Sequence, residues 1–141
     1  MMAAGRAAEL GAHVILLERR NRLGNKLRIT GKGRCNLTND CPIQELIGHL
    51  QPNGMFLRNA LERFGPRETV SFFEGLGVAT KVERGRRVFP QSDRAHDVAD
   101  ALHAYCQRND VRFGFDLRAR GLLIEGGQVR GARLPDRISR T

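Results

Sequence analysis

Glycines and basic side chains alternate between residues 21 and 39, and this run holds the residues of the 141-residue chain best suited to chemistry. Gly24, Gly31 and Gly33 are separated there by Lys and Arg residues. Glycine adopts positive φ angles and lets a ligand approach the backbone closely. Backbone N–H groups together with cationic side chains are suited to a pyrophosphate. On this pattern alone, an anion-binding loop and a flexible surface turn are both open.

A short apolar strand precedes this run. Residues 14–17 are four consecutive apolar residues, which predicts a strand at residues 13–18 that is covered on both faces. Glu18 closes the strand. In dinucleotide-binding folds an acid at this position, about 20 residues after a Gly-rich turn, binds the ribose hydroxyls. A solvated acid at a strand end is the equal alternative.

The first ten residues are predicted to form a helix, with Gly11 as its C-terminal cap. A parallel strand after a helix is usually reached by the route strand, turn, helix, strand. We therefore expect an opening strand and a Gly-rich turn ahead of residue 1. The G-x-G-x-x-G pattern of that turn is absent from the sequence as given.

Further along the chain, periodicity and turn residues predict five elements before residue 91. Helices are expected at residues 42–50, 55–64 and 66–76, with Pro66 in the first turn of the third. Met55, Phe56 and Phe64 are placed on the inner side of the second helix. Strands are expected at residues 78–83 and 88–90.

The last part of the chain is predicted to hold a long helix, a strand and a hairpin. The helix covers residues 93–108 with Ser92 as N-cap, and the strand covers residues 111–115. Residues 117–124 and 128–134 predict a hairpin around two glycines. The apolar face expected for the helix is Ala95, Val98, Ala99, Leu102, Tyr105 and Cys106.

No metal site is expected. His96, Asp100 and His103 share one face of the long helix and could bind a metal, but a solvated face is the more common arrangement. Cys35 and Cys41 are six residues apart, which is not a common zinc spacing, and three cysteines do not suggest a disulfide framework.

Composition indicates a protein of the cytoplasm. The net charge is +9, from 24 Lys and Arg against 15 Asp and Glu, and the basic residues are scattered rather than grouped in a tail. Such a balance favours polyanions, so a nucleic-acid-binding module is an alternative function. The first residues lack a signal peptide and no apolar run is long enough to span a bilayer. We expect no membrane partner and no nucleic acid, and the oligomeric state is open.

Residues 16–39, LLERRNRLGNKLRITGKGRCNLTN, resemble the signature of the BaiN/YhiN-type FAD-dependent oxidoreductases, also called the aminoacetone oxidase family. That signature has an acid after the second strand and then L-G-x-K-x-x-x-[ST]-G-x-G-R-C-N-x-T-N. GRRVFPQSDRAHDVADAL at residues 85–102 resembles a second segment of the family. Lys32 stands where the family commonly has Gly. The matching loop residues are Leu23, Gly24, Lys26, Thr30, Gly31, Gly33, Arg34, Cys35, Asn36, Thr38 and Asn39.

The resemblance implies an α/β fold: a dinucleotide-binding, Rossmann-like flavoprotein domain with a β-meander, here incomplete and without its first strand. It implies FAD as cofactor, NAD(P)H as a candidate electron donor and a small-molecule substrate. Cys35 could be a redox partner of the flavin or a small buried residue. The cofactor-binding residues it implies are Glu18, Arg19, Lys26, Thr30, Gly31, Gly33, Arg34, Cys35 and Asn36.

The resemblance also implies how the chain is divided. Residues 1–39 would be the strand and cofactor loop, residues 40–110 a helical segment and residues 111–134 the meander, all in a partial FAD-binding domain at residues 1–141. The substrate domain would be absent. We therefore expect little FAD binding and no activity from this chain alone, and no catalytic residue is assigned. A non-functional remnant of a longer protein is the third alternative.

Overall fold

The computed structural model describes residues 1–135, and residues 136–141 lie outside the described residues. The chain forms two compact units, which are treated separately. The first unit comprises Met1–Leu23 and the chain from Cys106 onward. The second unit is Gly24–Tyr105. The resemblance divided the chain by function, into residues 1–39, 40–110 and 111–134. That functional division stays a prediction.

Helices and strands alternate along much of the chain. In order they are α1 (Met2–Glu9), β1 (Ile15–Leu17), α2 (Asn25–Gly33), β2 (Thr38–Asn39), α3 (Ile43–His49), a 3₁₀ turn (Gly54–Leu57), α4 (Arg58–Arg63), α5 (Pro66–Gly75), β3 (Thr80–Glu83), β4 (Arg87–Pro90), α6 (Ala95–Arg108), β5 (Arg112–Gly114), β6 (Gly121–Glu125) and β7 (Gln128–Arg133).

In the first unit, α1 ends at the predicted glycine. Gly11 has a φ of +89°, and its N–H donates to the carbonyl of Ala8 at 2.8 Å. The N–H of Ala12 donates to the carbonyl of Ala7 at 3.0 Å. These bonds use carbonyls that the helix leaves without partners, and only a left-handed residue brings the chain into reach of them. The predicted cap is confirmed.

β1 and β5 form a two-stranded parallel sheet, in which Ile15 lies opposite Arg112 and Leu17 opposite Gly114. The strand predicted at residues 13–18 is confirmed in shortened form. Its predicted coverage on both faces is wrong for the described residues, because the side chain of Ile15 is 64% exposed. Within residues 1–135 β1 pairs with β5 and with no other strand, so one of its edges carries no strand there.

β6 and β7 form the predicted hairpin, which has an irregularity in register between Leu123 and Ile124. Gly126 and Gly127 both have positive φ angles, as a tight turn between paired strands requires. The resemblance implied a meander, and residues 1–135 contain two of its strands in one sheet. Leu122, Ile124 and Val129 are about three-fifths exposed in this hairpin.

The second unit has a three-stranded antiparallel sheet in the order β2-β4-β3. Val88 and Phe89 on the central strand are buried. The predicted apolar face of α6 is confirmed, because all six of its residues are buried. The helix begins at Ala95 rather than at residue 93, so the predicted N-cap role of Ser92 is wrong: its hydroxyl accepts a bond from the N–H of Arg94 at 3.3 Å, ahead of the first helical residue. The ring of Tyr105 meets Phe72 of α5 edge to face, with 5.1 Å between centroids.

One helix was predicted at residues 55–64, and this is wrong. The segment divides into the 3₁₀ turn and α4, and Met55 and Phe56 are 63% and 87% exposed rather than on an inner side. Gly54 is buried, and a Cβ there would lie 2.2 Å from the carbonyl oxygen of Ile47. The close approach of Gly54 to α3 sets the direction of the following residues, which sequence periodicity does not reveal.

The mixture of a parallel strand pair, an antiparallel sheet and intervening helices is α/β in class. Among residues 1–135, no helix has both the length and the apolar character that crossing a bilayer requires.

Replacing Leu102 by Ala should lower the free energy of unfolding by about 2–5 kcal/mol, because Leu102 is 5% exposed on the buried face of α6. Urea denaturation followed by circular dichroism measures this loss. Ile29→Ala is the control, since Ile29 is 74% exposed and its truncation should change stability by about 0.5 kcal/mol or less. Equal losses in the two variants would contradict the assignment of α6 to the core.

Candidate functional site

Glu18 and Arg19 belong to the first unit and follow directly on β1. The N–H of Glu18 donates to the carbonyl of Gly114 at 2.8 Å, which continues the pairing of β1 with β5. The Oε1 atom of Glu18 accepts a bond from the N–H of Arg20 at 2.9 Å. Glu18 is half-buried and Arg19 is exposed. The carboxylate therefore stands at the carboxyl end of a parallel strand, where open α/β sheets bind ligands.

The other predicted site residues lie in the second unit, and the segment carrying them is not the predicted loop. Residues Asn25–Gly33 form α2, after Gly24 in a left-handed conformation with a φ of +72°. Lys26 and Leu27 favour helix, and Gly24 lets the chain turn into it. Lys26 lies in the first turn and is exposed. The number of glycines suggested a loop. Gly24 precedes the regular helical turns of α2, and Gly31 and Gly33 follow them.

α2 contains a sharp change of direction at Thr30, Gly31 and Lys32, whose backbone angles are not those of a right-handed helix. Gly31 and Lys32 have φ angles of +56° and +58°. A Cβ on Gly31 would lie 3.1 Å from the backbone nitrogen of Asn36. The hydroxyl of Thr30 donates to the carbonyl of Leu27 at 2.7 Å and is thereby turned back onto the helix.

The left-handed backbone at Lys32 explains why glycine is common at this position in the family that the sequence resembles. A left-handed backbone costs an L-residue with a Cβ roughly 1–2 kcal/mol, and glycine avoids this cost. Gly33, which follows, also has a positive φ, of +84°, and nothing lies within 4 Å of where its Cβ would be. Gly33 therefore has an open side, and it directly follows the exposed side chain of Lys32 in sequence.

Arg34 is held by acidic residues of its own unit. Its Nε donates to Oδ1 of Asp93 at 2.8 Å, and its Nη2 donates to the same oxygen at 2.5 Å. Nη2 also donates to Oε1 of Glu83. The guanidinium carbon lies 4.2 Å from the centroid of the buried Phe89 ring, a cation–π distance. Lys81 completes the group through a 2.6 Å ion pair with Asp93.

These contacts shift the pKa values of the group. Hydrogen bonds from Arg34 lower the pKa of the Glu83 carboxyl, and bonds from Lys81 and then Arg34 lower the pKa of Asp93. Hydrogen bonds to Glu83 and Asp93 raise the pKa of Arg34 in turn. The formal charges of the two cationic and two acidic side chains balance. We call Arg34, Lys81, Glu83 and Asp93 the Arg34 network.

Cys35 follows with a φ of +61° and is 2% exposed. Burial raises the pKa of its thiol, partly offset by a hydrogen bond with Thr30. A redox partner of a flavin reacts as a thiolate, which burial disfavours. Cys35 therefore fits the second alternative raised by its sequence, a small buried residue.

Asn36 is tied to the sheet. In the orientation of its amide that satisfies its hydrogen bonds, the side-chain nitrogen donates to the carbonyl of Val88 at 3.1 Å and to that of Thr38 at 2.9 Å. The N–H of Leu37 also donates to the carbonyl of Val88, at 2.8 Å. Asn36 thus joins the end of the cofactor segment, which we define as residues 24–36, to β2 and β4.

The second unit brings Thr30, Gly31, Arg34, Cys35 and Asn36 together around the start of the sheet. Their roles toward a cofactor stay predictions. Sequence reasoning missed three residues of the Arg34 network: Lys81, Glu83 and Asp93. A signal for one of them was present, because Asp93 lies in the second segment of the resemblance, three residues after the strand that carries Phe89.

The face of α6 that carries His96, Asp100 and His103 contacts an arginine. Asp100 forms a 2.5 Å ion pair with the buried guanidinium of Arg28, both in the second unit. Among the residues that the structure describes, no group of three or more His, Cys, Asp or Glu side chains is arranged to hold a metal ion.

The donor set of the cofactor segment fits a pyrophosphate. Lys26 and Lys32 provide exposed cations, and Gly33 provides open backbone in a conformation suited to close approach. Arg34 fits less well, since its Nε and Nη2 already serve Glu83 and Asp93. In the first unit, the position and half-burial of Glu18 fit a ribose hydroxyl pair.

Replacing Gly31 by Ala should destabilise the second unit by about 1–3 kcal/mol, because the new Cβ combines a strained φ with the 3.1 Å approach to Asn36. Urea denaturation measures the loss. Gly48→Ala in α3 is the matched control, with an ordinary φ and nothing within 4 Å, and should stabilise by up to about 1 kcal/mol. Similar effects in both variants would refute the constraint at Gly31.

Stability should fall in acid through the Arg34 network. The pKa values of Glu83 and Asp93 are lower in the folded chain than their ordinary values of 4.5 and 3.8, so the folded state binds fewer protons. The stabilisation is complete above those ordinary values and is lost as pH falls through the folded-state values. Urea midpoints of the wild type should decline more steeply in acid than those of Glu83→Gln/Asp93→Asn. Parallel curves would show that the network contributes nothing to this dependence.

Comparison with known proteins identifies the family. Residues 1–136 match the HI0933-like protein Rossmann domain. A 3-dehydro-bile acid delta(4,6)-reductase of Clostridium scindens is 38% identical over 132 residues, which are 90% of this chain and 32% of that protein. A ribosomal RNA dihydrouridine synthase of Escherichia coli is 28% identical over 113 residues, 80% of this chain and 28% of that protein. The chain spans about a third of the length of these relatives.

A solved structure supports the fold. THI4 of Thermovibrio ammonificans superposes with a TM-score of 0.58 over 94% of this chain and 40% of its own, at 12% sequence identity. The resemblance found from residues 16–39 and the expected Rossmann-like class are both confirmed. The chain belongs to the HI0933-like family of Rossmann-type domains.

Proposed function

We propose that this chain provides part of the FAD site of an oxidoreductase. Two observations carry the proposal, one in each unit: Glu18 stands at the carboxyl end of a parallel strand in the first, and the cofactor segment of the second has left-handed glycines and exposed lysines. Membership of the HI0933-like family supports it. Glu18 lies 24 − 18 = 6 positions before the first residue of the cofactor segment along the chain.

Glu18 would accept hydrogen bonds from the adenosine ribose hydroxyls, and Arg19 would lie beside it. The bond from the Arg20 N–H to Oε1 orients the carboxylate before any ligand arrives. Such preorganisation reduces the entropy lost on binding.

Lys26, Lys32 and the backbone at Gly33 would hold the pyrophosphate. Thr30 and Gly31 would shape the turn, and Asn36 would face the flavin with its amide oxygen while its nitrogen holds the sheet. Arg34 and Cys35 would act from within the protein: Arg34 as a support in the Arg34 network and Cys35 as a buried residue.

FAD, when bound, would supply the transfer of hydride or electrons between a substrate and a donor. We propose NAD(P)H as the donor and a small organic molecule as the substrate. The chain spans about a third of its relatives, so both proposals concern the whole protein. A cytoplasmic location is proposed on the three cysteines, all of which are free thiols.

Nucleic-acid binding is the second candidate function. The net charge of +9 and the name of the Escherichia coli relative, which acts on ribosomal RNA, favour it. Heparin retention that persists in moderate salt, without binding of added FAD, would favour this candidate over the first. Saturable FAD binding with weak, salt-sensitive heparin retention would favour the first.

Replacing Glu18 by Ala should weaken the binding of added FAD by about 1–3 kcal/mol, because the ribose hydroxyls lose their acceptor. This corresponds to roughly a 5- to 150-fold rise in Kd. Titration followed by flavin fluorescence measures it. The purified chain itself should carry little FAD.

Two controls localise the effect. Glu125→Ala removes the exposed acid at the end of β6 and should leave the Kd unchanged. ADP, which has the ribose and the phosphates, should show the loss in the Glu18→Ala variant, whereas riboflavin should not. An unchanged Kd for FAD and ADP would remove Glu18 from the site.

A further inference from the structure

Asp93 is separated from the cofactor segment by about sixty residues of sequence, yet it is bonded to that segment's arginine. Arg34 and Asp93 are 59 positions apart and share two hydrogen bonds to one carboxylate oxygen. The opposite oxygen of Asp93 receives Lys81 Nζ at 2.6 Å. Both oxygens of this carboxylate are therefore occupied by cations of the protein itself.

Asp93 is also held firmly by its own backbone. It has a φ of +55°, and its N–H donates to the carbonyl of Pro90 at 3.0 Å. It stands between Pro90, the buried last residue of β4, and Ala95, the buried first residue of α6. The backbone of Asp93 is therefore fixed on both sides, which makes its carboxylate a suitable anchor for the side chain of Arg34.

Arg34 transmits this anchoring to the left-handed turn. Its guanidinium lies over one ring, that of Phe89, and the same ring lies 3.5 Å from where a Cβ of Gly31 would be. Arg34 directly follows Gly33 and precedes the buried Cys35. Glycines leave a backbone conformationally free, so a turn with two of them needs an external restraint to keep one shape.

We propose that Asp93 is a positioning residue for FAD: it holds Arg34 against Phe89 and thereby fixes the shape of the cofactor segment from Gly31 to Cys35. Asp93 does not touch the cofactor in this proposal. The proposal rests on the proposed function, because it takes FAD as the ligand of the cofactor segment. The lowered pKa of Asp93 agrees with it, since the carboxylate is ionised whenever FAD binds at neutral pH.

The test uses Asp93→Asn in the full 141-residue chain. Asn tolerates a positive φ as Asp does, so the substitution removes the charge and keeps the backbone. Asp97→Asn is the matched control, because Asp97 lies on α6 and pairs with Arg94 at 3.7 Å outside the Arg34 network. The Kd for added FAD should rise about three- to thirtyfold in Asp93→Asn. It should stay at the wild-type value in Asp97→Asn.

A double-mutant cycle separates positioning from a general structural role. If Asp93 acts through Arg34, then Asp93→Asn should add no further loss of FAD affinity in an Arg34→Gln background. Additive losses would overturn the positioning role.

Trypsin provides a readout without any cofactor. Cleavage after Lys32 and Arg34, followed by mass spectrometry, should be several times faster in Asp93→Asn than in the wild type and in Asp97→Asn, relative to cleavage after Arg63. Equal cleavage in all three proteins would overturn the proposal. The chain is expected to bind FAD weakly, so the readout is the Kd for added FAD. A wild-type chain with no saturable affinity for added FAD would overturn the proposed function and this proposal with it, whereas a wild-type Kd in Asp93→Asn would overturn this proposal alone.

Discussion

The ion pairs of Arg34 join parts of the second unit that lie far apart in sequence. Glu83 and Asp93 are 49 and 59 positions from Arg34, and both bond its guanidinium above the ring of Phe89. Partly exposed ion pairs each contribute little to stability, because water screens them and ordering the side chains costs entropy. Their effect is geometric. An arginine that is bonded on two sides and stacked on a buried ring has one position, and this fixes the conformation of the turn that carries it.

Backbone handedness is the second constraint on the cofactor segment. Gly31, Lys32, Gly33 and Cys35 all have positive φ angles within five residues. Two of these positions carry a Cβ and are therefore strained, and strain of this kind persists only where surrounding contacts overdetermine the conformation. Such contacts are provided on one side by the burial of Cys35 and by the two hydrogen bonds that the side-chain amide of Asn36 donates. The Arg34 network provides them on the other side.

The relatives show which part of the function this chain is able to explain. A bile acid reductase and a ribosomal RNA dihydrouridine synthase, by their names, act on unlike substrates, yet both match this chain over about a third of their length. A segment common to such different proteins suits a shared cofactor better than either substrate. This supports the FAD proposal, and we assign no substrate-binding role to any of the described residues.

Local patterns in the sequence determined the elements that depend on neighbours in the chain. These include the Gly11 cap, the buried face of α6, the hairpin at Gly126-Gly127 and the strand that ends before Glu18. The signature at residues 16–39 was enough to identify the family. Tertiary structure decided the rest: the helix within the predicted loop, the exposure of Met55 and Phe56, and the internal bonds of Arg34. The physical reason is the range of the interactions. Capping and periodicity act over a few residues, whereas the carboxylate that pairs with an arginine depends on which distant residues folding brings near it.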